Sequence, residues 1–289
     1  MKTVVSAPGS LLDTLQLLVP GASRRTLRQM LVQDRISLNG VVCRKAVHQV
    51  QPGDLIEIGP RRNAPTLPNE LEIVFEDDAI LVVNKPCGLL SVSTPSEREK
   101  TVYALLSRCL KERNPGEALY IVHRIDKFAS GLLVFAKTGE IQCRLKDLLS
   151  THEIRRMYWA IVEGIVEQER GTVRSFLAED KTFHVHSVRD RKQGKSAVTH
   201  YRTLCRFQDI STLEVTLETG RKNQIRVHLS EIGHPVVGDR AYGRGNDPLG
   251  RLGLHAFHLG FIHPTRGVPV EYTAEPPPEF FPYLPITKE

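Results

Sequence analysis

The chain has 289 residues, of which 40% are hydrophobic and 25% are charged. This length exceeds a usual single core, and the composition is that of a folded globular chain rather than a disordered one. The apolar start of the chain is interrupted by Pro8, Gly9 and Asp13. No later run approaches the roughly 18 apolar residues of a membrane span, so we expect neither export nor membrane anchoring.

Positive charge is concentrated near the N-terminal end. Residues 1–63 carry nine Lys/Arg and four Asp/Glu, a net charge of +5, whereas the whole chain carries +6. A basic module in front of a nearly neutral body is typical of proteins that bind a polyanion with one part. On charge alone, a merely solvated basic face is the more common alternative.

The cysteines form no C-x-x-C pair and no spacing typical of a disulfide framework. They are Cys43, Cys87, Cys109, Cys143 and Cys205. Reduced thiols in a cytoplasmic protein are the expectation that fits this scatter best.

In the N-terminal part, Ser23 is expected to cap a helix that runs to Val32, with Leu27 and Leu31 facing inward. The basic residues of this helix share another face, and they are Arg24, Arg25 and Arg28.

A hairpin is predicted next. Residues 36–38 and 41–43 read as strands joined by the Asn39-Gly40 turn, and Pro52-Gly53-Asp54 forms a second turn before an apolar strand. Two helices and a short hairpin therefore make a coherent module of about 50 residues.

The segment from Ser23 to Ile58 resembles the small alpha-L RNA-binding motif of a ribosomal small-subunit protein and several RNA-modifying enzymes. The matching features are the Ser-Arg helix start, the Asn-Gly turn and the Gly-Asp pair before a closing strand. The resemblance implies that the basic face docks on structured RNA. The candidate RNA-binding residues of this module are Arg24, Arg25, Arg28, Arg44 and Lys45.

We expect this module to span residues 9–60, a Pro- and Arg-containing linker to span 61–70, and a second domain to span 71–285. The second domain is strand-rich, with helical stretches at Thr101–Arg113 and Glu140–Leu149, and its proline-rich tail is expected to be extended. Its predicted strands are LEIVFED, AILVVNKP, YIVHRID, SGLLVFAKT, MYWAIVEG, AVTHYRTL and TLEVTLET.

Asp126 stands where the alternating strand pattern of residues 121–126 ends and a turn leads into another apolar strand. A carboxylate at a strand end is held rigidly and can still reach a cleft, and Arg124, two positions earlier, projects to the same face. On this local pattern alone, a simple turn-capping Asp is the commoner case.

Five segments in order resemble the RluA family of pseudouridine synthases, and together they span essentially the whole second domain. They are VVNKPCGLLSV (82–92), HRIDKFASGLLVFAKT (123–138), YWAIVEG (158–164), ETGRKNQIRVHLSEIGHPVVGDRAYG (218–243) and RLGLHAFHLGFIHP (251–264).

The resemblance implies the chemistry of three residues. Asp126 matches the family's carboxylate, the nucleophile or general base around which the glycosidic bond is broken and remade. An ionised carboxylate in a partly dry pocket needs an opposing cation, and Arg226 matches the family's arginine. Tyr158 matches the tyrosine that stacks on the target base and is proposed to assist removal of the C5 proton.

RNA contacts are implied for two further residues. The target nucleotide must leave its stack, and Arg124 matches the arginine that fills the vacancy. Arg221 is a further candidate for RNA contact. Three positions depart from the family pattern. Ala129 stands where a Thr is usual, and Lys222-Asn223 stand where Thr-His is usual. These departures put substrate fit in doubt more than chemistry.

The resemblance implies an α+β protein with a small helical and hairpin RNA-binding domain, followed by a catalytic domain on a large mixed, mainly antiparallel sheet. No cofactor is expected, because the isomerisation conserves all atoms and no nucleotide-binding glycine motif is present. A metal is not expected either, since His255, His258 and His263 lack acid or Cys partners at ligand spacing.

The expected partner is RNA, with ribosomal RNA favoured and transfer RNA possible, and the expected state is a monomer. Two functions other than pseudouridine synthesis are considered. A catalytically silent RNA-binding protein could retain the fold, and a base-releasing glycosidase would normally need a second acid, which the motif segments lack.

Overall fold

The computed structural model describes residues 2–32, 35–59 and 71–285. Its contacts divide the chain into two compact units, Met1–Thr66 and Leu67–Glu289. The linker expected at 61–70 lies outside the described residues.

Among its described residues, the first unit has two helices and six short strands. The helices are α1 (Leu11–Leu18) and α2 (Arg24–Val32), and the strands are β1 (Lys2–Val4), β2 (Gly9–Ser10), β3 (Ile36–Leu38), β4 (Val41–Val42), β5 (Gln49–Val50) and β6 (Leu55–Ile58). Strands β1, β6, β3 and β4 form one antiparallel sheet.

Local signals account for the shape of this unit. The Ser23 hydroxyl accepts a hydrogen bond from Thr26 N at 3.1 Å, which confirms the predicted cap of α2. Leu27 and Leu31 are buried as expected. Asn39 and Gly40 have φ values of 51° and 83°, so both central residues of the β3–β4 turn are left-handed, as the tight hairpin requires.

The second unit is dominated by one sheet of 11 strands. The strands are β7 (Glu72–Glu76), β8 (Ile80–Lys85), β9 (Tyr120–Ile121), β10 (Ser130–Ala136), β11 (Arg155–Glu163), β12 (Arg170–Glu179), β13 (Val185–Val188), β14 (Lys195–Phe207), β15 (Ile210–Leu217), β16 (Leu254–Ile262) and β17 (Pro269–Thr273). The helices are α3 (Val102–Arg113), α4 (Gly139–Ser150), α5 (Gln224–Glu231) and the short 3-10 helix Pro278–Tyr283.

The main path of the sheet runs β13-β12-β14-β15-β11-β16-β10-β8-β7, with β17 on β16 and β9 on β10. Every described pairing is antiparallel except that of β10 with β16. This confirms the α+β class and the mixed, mainly antiparallel sheet.

Strand β10 is buried along its whole length, and it separates two hydrophobic clusters. Leu133 and Phe135 pack on one face together with α3 and α5, whereas Leu132, Val134 and Ala136 pack on the other with α4. A strand covered on both faces is a continuous apolar run, as SGLLVFA is.

The parallel pairing depends on Gly131, whose φ is 112°. A Cβ there would stand 2.2 Å from Ala256 O, so only glycine lets the two backbones approach this closely. The expectation of an extended tail is wrong for Pro278–Tyr283, which forms a 3-10 helix, whereas Pro277 before it has an extended backbone. Pro278 presets a helical φ, and burial of Phe280 holds the turn against the unit.

Candidate active site

Asp126 does not lie at the end of a strand, which corrects the sequence prediction. Strand β9 ends at Ile121, and the chain then runs to Asp126 without a ladder partner. The Ser91 hydroxyl replaces that partner, because it donates to Ile125 O at 2.7 Å and accepts from Ile125 N at 3.2 Å. The residue before Asp126 is therefore fixed by a side chain rather than by a strand.

Lys85 holds the turn on the other side of Asp126. Its buried ammonium donates to the carbonyl oxygens of Pro86, Leu89 and Lys127 at 2.8, 2.8 and 3.0 Å. Burial lowers the pKa of Lys85 to about 7, while the nearby charges of Cys87 and Asp126 oppose that fall.

Arg226 faces Asp126 from helix α5. Its Nη1 lies 3.6 Å from Asp126 Oδ2 and 3.0 Å from Asn223 Oδ1, and its other nitrogens bind Asp239. Burial alone would lower the pKa of this guanidinium, but the hydrogen bonds and charge of Asp239, with a smaller contribution from Asp126, raise the pKa overall. Arg226 is thus a fixed cation at neutral pH.

Tyr158 lies on β11 with only 5% of its surface exposed. Burial raises the pKa of its phenol; Arg156 opposes this rise and Asp126 adds to it. The hydroxyl therefore stays protonated at neutral pH, next to the carboxylate.

Asp126 lies at a cleft of about 510 Å³. Asp126, Tyr158, Arg124 and Arg221 line it, while Arg226 stands behind its wall. Arg124 and Arg221 are exposed, and Arg221 Nε donates to Ser196 O at 3.0 Å. The second unit thus brings together all of its predicted site residues.

The predicted RNA-binding residues of the first unit lie on its surface. Arg24, Arg25, Arg28, Arg44 and Lys45 are all exposed. Arg24 also forms an ion pair with Asp13 at 2.6 Å.

Ala129 and Asn223, which depart from the family pattern, have clear structural roles. Ala129 is buried in the core, and its N–H donates to Asp126 O at 3.2 Å. Asn223 adopts φ 54°, a left-handed conformation that Asn tolerates, and its amide bridges Arg226 and the Tyr242 hydroxyl.

Sequence reasoning missed four residues of this site. Lys85, Ser91 and Asp239 lie within segments that match the family, but no catalytic or binding role was predicted for them. Arg156 also lines the cleft, and its position two residues before Tyr158 on one strand was a usable signal.

Two of the three histidines considered as metal ligands, His255 and His263, have other partners. His255 Nδ1 lies 2.8 Å from the Ser130 hydroxyl, and His263 contacts Thr265 and Asp77. Within residues 2–32, 35–59 and 71–285, no group of three or more His, Cys, Asp or Glu side chains is placed to hold a metal ion. Among the same residues, no helix is long and apolar enough to cross a membrane.

Comparison with known proteins identifies the class of enzyme to which this chain is similar. The model of the RNA pseudouridylate synthase family matches residues 79–231. Human RNA pseudouridylate synthase domain containing 4 superimposes with a TM-score of 0.60 at 25% identity, over 73% of this chain and 90% of that chain.

Curated relatives extend the match to most of the chain. The chain is 38% identical over 263 residues to an uncharacterized RNA pseudouridine synthase, YlyB, of Bacillus subtilis, covering 88% of this chain and 86% of the relative. It is 36% identical over 288 residues to ribosomal large subunit pseudouridine synthase D of Yersinia pestis, covering 93% and 88%.

This chain therefore belongs to the RNA pseudouridylate synthase family, which confirms the RluA-type family expected from its motifs. It is an isomerase that converts uridine in RNA to pseudouridine, and the silent RNA-binding alternative is not favoured.

Proposed function

We propose that this protein isomerises uridine in ribosomal RNA with Asp126 as the reacting carboxylate, Arg226 as its cation and Tyr158 as the platform for the base. The observation that carries the proposal is the approach of Arg226 Nη1 to within 3.6 Å of Asp126 Oδ2 beside the buried Tyr158 ring. Ribosomal RNA is favoured because relatives at 35–37% identity bear names of large-subunit rRNA synthases; transfer RNA is the alternative substrate.

The reaction breaks the N1–C1′ bond, turns the uracil and forms a C5–C1′ bond, while the C5 proton is lost and N1 ends protonated. The Asp126 carboxylate faces Arg226 and supplies the electron pair that reacts with the nucleotide. Attack on the sugar and attack on the base are both compatible with its place. The Tyr158 ring offers a flat surface for uracil, and its hydroxyl offers a proton relay beside Asp126.

A glycosidase that releases the base is less well supported. Such an enzyme needs a second carboxylic acid near the first. Among the described residues around the cleft, the Glu218 carboxylate pairs with His200 and the Asp239 carboxylate pairs with Arg226. Neither is placed as a free acid for the leaving group.

RNA binding is proposed for two surfaces. The exposed basic residues of the first unit fit the phosphate backbone of structured RNA, as an alpha-L-type domain at residues 9–60 would use them. Arg124, exposed at the cleft, is proposed to fill the vacancy left by the flipped uridine. A cytoplasmic location and a monomeric state stay predictions, the latter measurable by sedimentation.

The test is tritium release from C5-labelled uridine in purified ribosomal and transfer RNA. Wild type should release tritium, preferentially from ribosomal RNA, and Asp126→Asn should lose at least about 10³-fold in rate. The exposed Asp78→Asn is the matched control and should behave as wild type. Tight RNA binding without release by wild type would contradict the proposal.

A further inference from the structure

Arg156 is a buried arginine without a carboxylate partner. Only 6% of its surface is exposed. Its Nη2 donates to Glu218 O at 3.3 Å, and its Nε has no hydrogen-bond partner among the described residues. Over residues 2–32, 35–59 and 71–285, no carboxylate oxygen lies within 4.0 Å of the guanidinium.

This arrangement contrasts with that of Arg226 in the same site. Arg226 has 12% of its side chain exposed, and two aspartates compensate its charge. Burial lowers the pKa of Arg156, and only Tyr158 opposes the fall. A buried charge that the protein leaves uncompensated points to compensation from a ligand.

The guanidinium is placed to meet such a ligand. Arg156 and Tyr158 are two residues apart on β11, so both side chains point to the same face of the sheet, and both line the cleft. A Cβ on Gly220 would stand 2.6 Å from Arg156 Nη1, so the glycine leaves the room that the guanidinium occupies. Arg156 is thus held between the tyrosine and a loop backbone.

We propose that Arg156 binds a phosphate group of the substrate RNA adjacent to the flipped uridine. This rests on the function proposed above. The phosphates are the only groups of a uridine nucleotide with a full negative charge, and the planar guanidinium fits their oxygens with two parallel hydrogen bonds. The uracil carbonyls are neutral and do not balance a buried cation. Lys146 and Arg221 also line the cleft and extend its cationic lining.

The experiment uses an RNA that contains a uridine converted by the wild type. The phosphate on the 5′ or the 3′ side of that uridine is replaced singly by a neutral methylphosphonate. One of the two replacements should lower kcat/KM of the wild type by about 10- to 100-fold. Arg156→Met should lower kcat/KM on the all-phosphate RNA by a similar factor. Neutralising the same phosphate should cause no further fall in kcat/KM of this variant.

Arg155→Met is the matched control, because Arg155 is the exposed neighbour on the opposite face of β11. It should keep both the wild-type rate and the wild-type sensitivity to the methylphosphonate. Without RNA, Arg156→Met should unfold at the same or a higher temperature than the wild type, since it removes an uncompensated buried charge. A purely structural arginine would instead leave a less stable protein.

The proposal is overturned if Arg156→Met is as sensitive as the wild type to each methylphosphonate, or if neither replacement affects the wild type. If Arg156→Met does not fold, Arg156→Lys carries the same test, with an intermediate rate and reduced sensitivity expected. Failure of the wild type to convert any uridine is a different result, because it removes the proposed function itself, and with it the proposal about Arg156.

Discussion

Arg226 binds Asp239 through two hydrogen bonds of 2.6 and 2.7 Å, whereas it stays 3.6 Å from Asp126. The arginine is therefore anchored by one aspartate while it faces another. An anchored cation stabilises the charge of Asp126 without occupying both of its oxygens, which leaves the carboxylate free to react.

Removing the anchor should affect both stability and rate. In Asp239→Asn the bidentate pair is lost, so Arg226 is free to move onto Asp126 and cover it. We expect the free energy of unfolding to fall by about 3–5 kcal/mol and kcat to fall by about 10- to 100-fold. Urea denaturation and single-turnover kinetics measure these changes. The exposed Asp209→Asn should stay within about 0.5 kcal/mol of wild type; equal effects in the two variants would contradict the anchoring role.

The ring and the hydroxyl of Tyr158 can be separated by substitution. Tyr158→Phe keeps the stacking surface, so RNA affinity should be unchanged while the single-turnover rate falls by about 10²- to 10⁴-fold. Tyr158→Ala should lose affinity for the flipped uridine as well. Because the pKa of Tyr158 is raised, ionisation of this residue should not reduce the wild-type rate below about pH 10. A wild-type rate in Tyr158→Phe would exclude the hydroxyl from the reaction.

Lys85 should make stability depend on pH. Its pKa is about 7 in the folded protein against 10.5 for the free side chain, so the unfolded chain binds more protons above pH 7. The contribution of Lys85 therefore rises with pH, by up to about 1.4 kcal/mol per pH unit. Urea denaturation of the reduced protein between about pH 7 and 8 keeps most thiols of the unfolded chain protonated. Lys85→Met should lose this slope, and an identical slope in both proteins would show that the ammonium is not desolvated.

Gly131→Ala should be among the most damaging small substitutions in the second unit. The new Cβ would lie 2.2 Å from Ala256 O, so β10 and β16 must separate. The backbone φ of 112° is in addition unfavourable for alanine. We expect a loss above about 4 kcal/mol, seen as an unfolded or aggregated protein by circular dichroism. Gly250→Ala is the matched control, because its φ is 66° and its Cβ meets nothing within 4 Å. It should cost only about 1 kcal/mol, and equal losses would assign the effect to backbone strain alone.

The basic helix of the first unit should contribute to RNA affinity through phosphates. Replacing Arg25 and Arg28 by Gln should reduce the slope of log K against log salt by about 1.4–1.8, with kcat on bound RNA unchanged. Arg24 is less suitable, since it already pairs with Asp13. The control replaces Arg108 and Lys111, two exposed cations of α3. An equal loss of slope in the control would indicate diffuse attraction rather than a binding face.

Much of the fold follows from local sequence signals. The Ser23 cap, the Asn39-Gly40 turn and the apolar run of β10 each specify their own backbone, so these elements are predictable. The segment before Asp126 was misread because its backbone is satisfied by Ser91, a side chain 34 residues away. Alternation of apolar and polar residues does not show whether the backbone is hydrogen-bonded to a neighbouring strand or to a serine side chain.

The sequence predicted those site residues that match a family motif. It did not predict the contacts that these residues make with side chains distant in the sequence. Asp126 and Tyr158 line one cleft and Arg226 faces Asp126, as the family resemblance implied, although their roles stay proposals. Asp239 binds Arg226 through two hydrogen bonds, and Arg156 has no carboxylate partner among the described residues. Both features depend on burial and distance, which cannot be read from a sequence pattern.

The parallel pairing of β10 with β16 also determines when the active site can form during translation. Ser130 contacts His255 across 125 residues of intervening chain, and β16 lies between β10 and β11. The ribosome therefore makes Asp126 and Tyr158 long before the strand that fixes their distance exists. Such a nonlocal closure is slow to form and needs nearly the entire polypeptide. We therefore expect a nascent chain of this protein to lack activity until β16 has emerged from the ribosome.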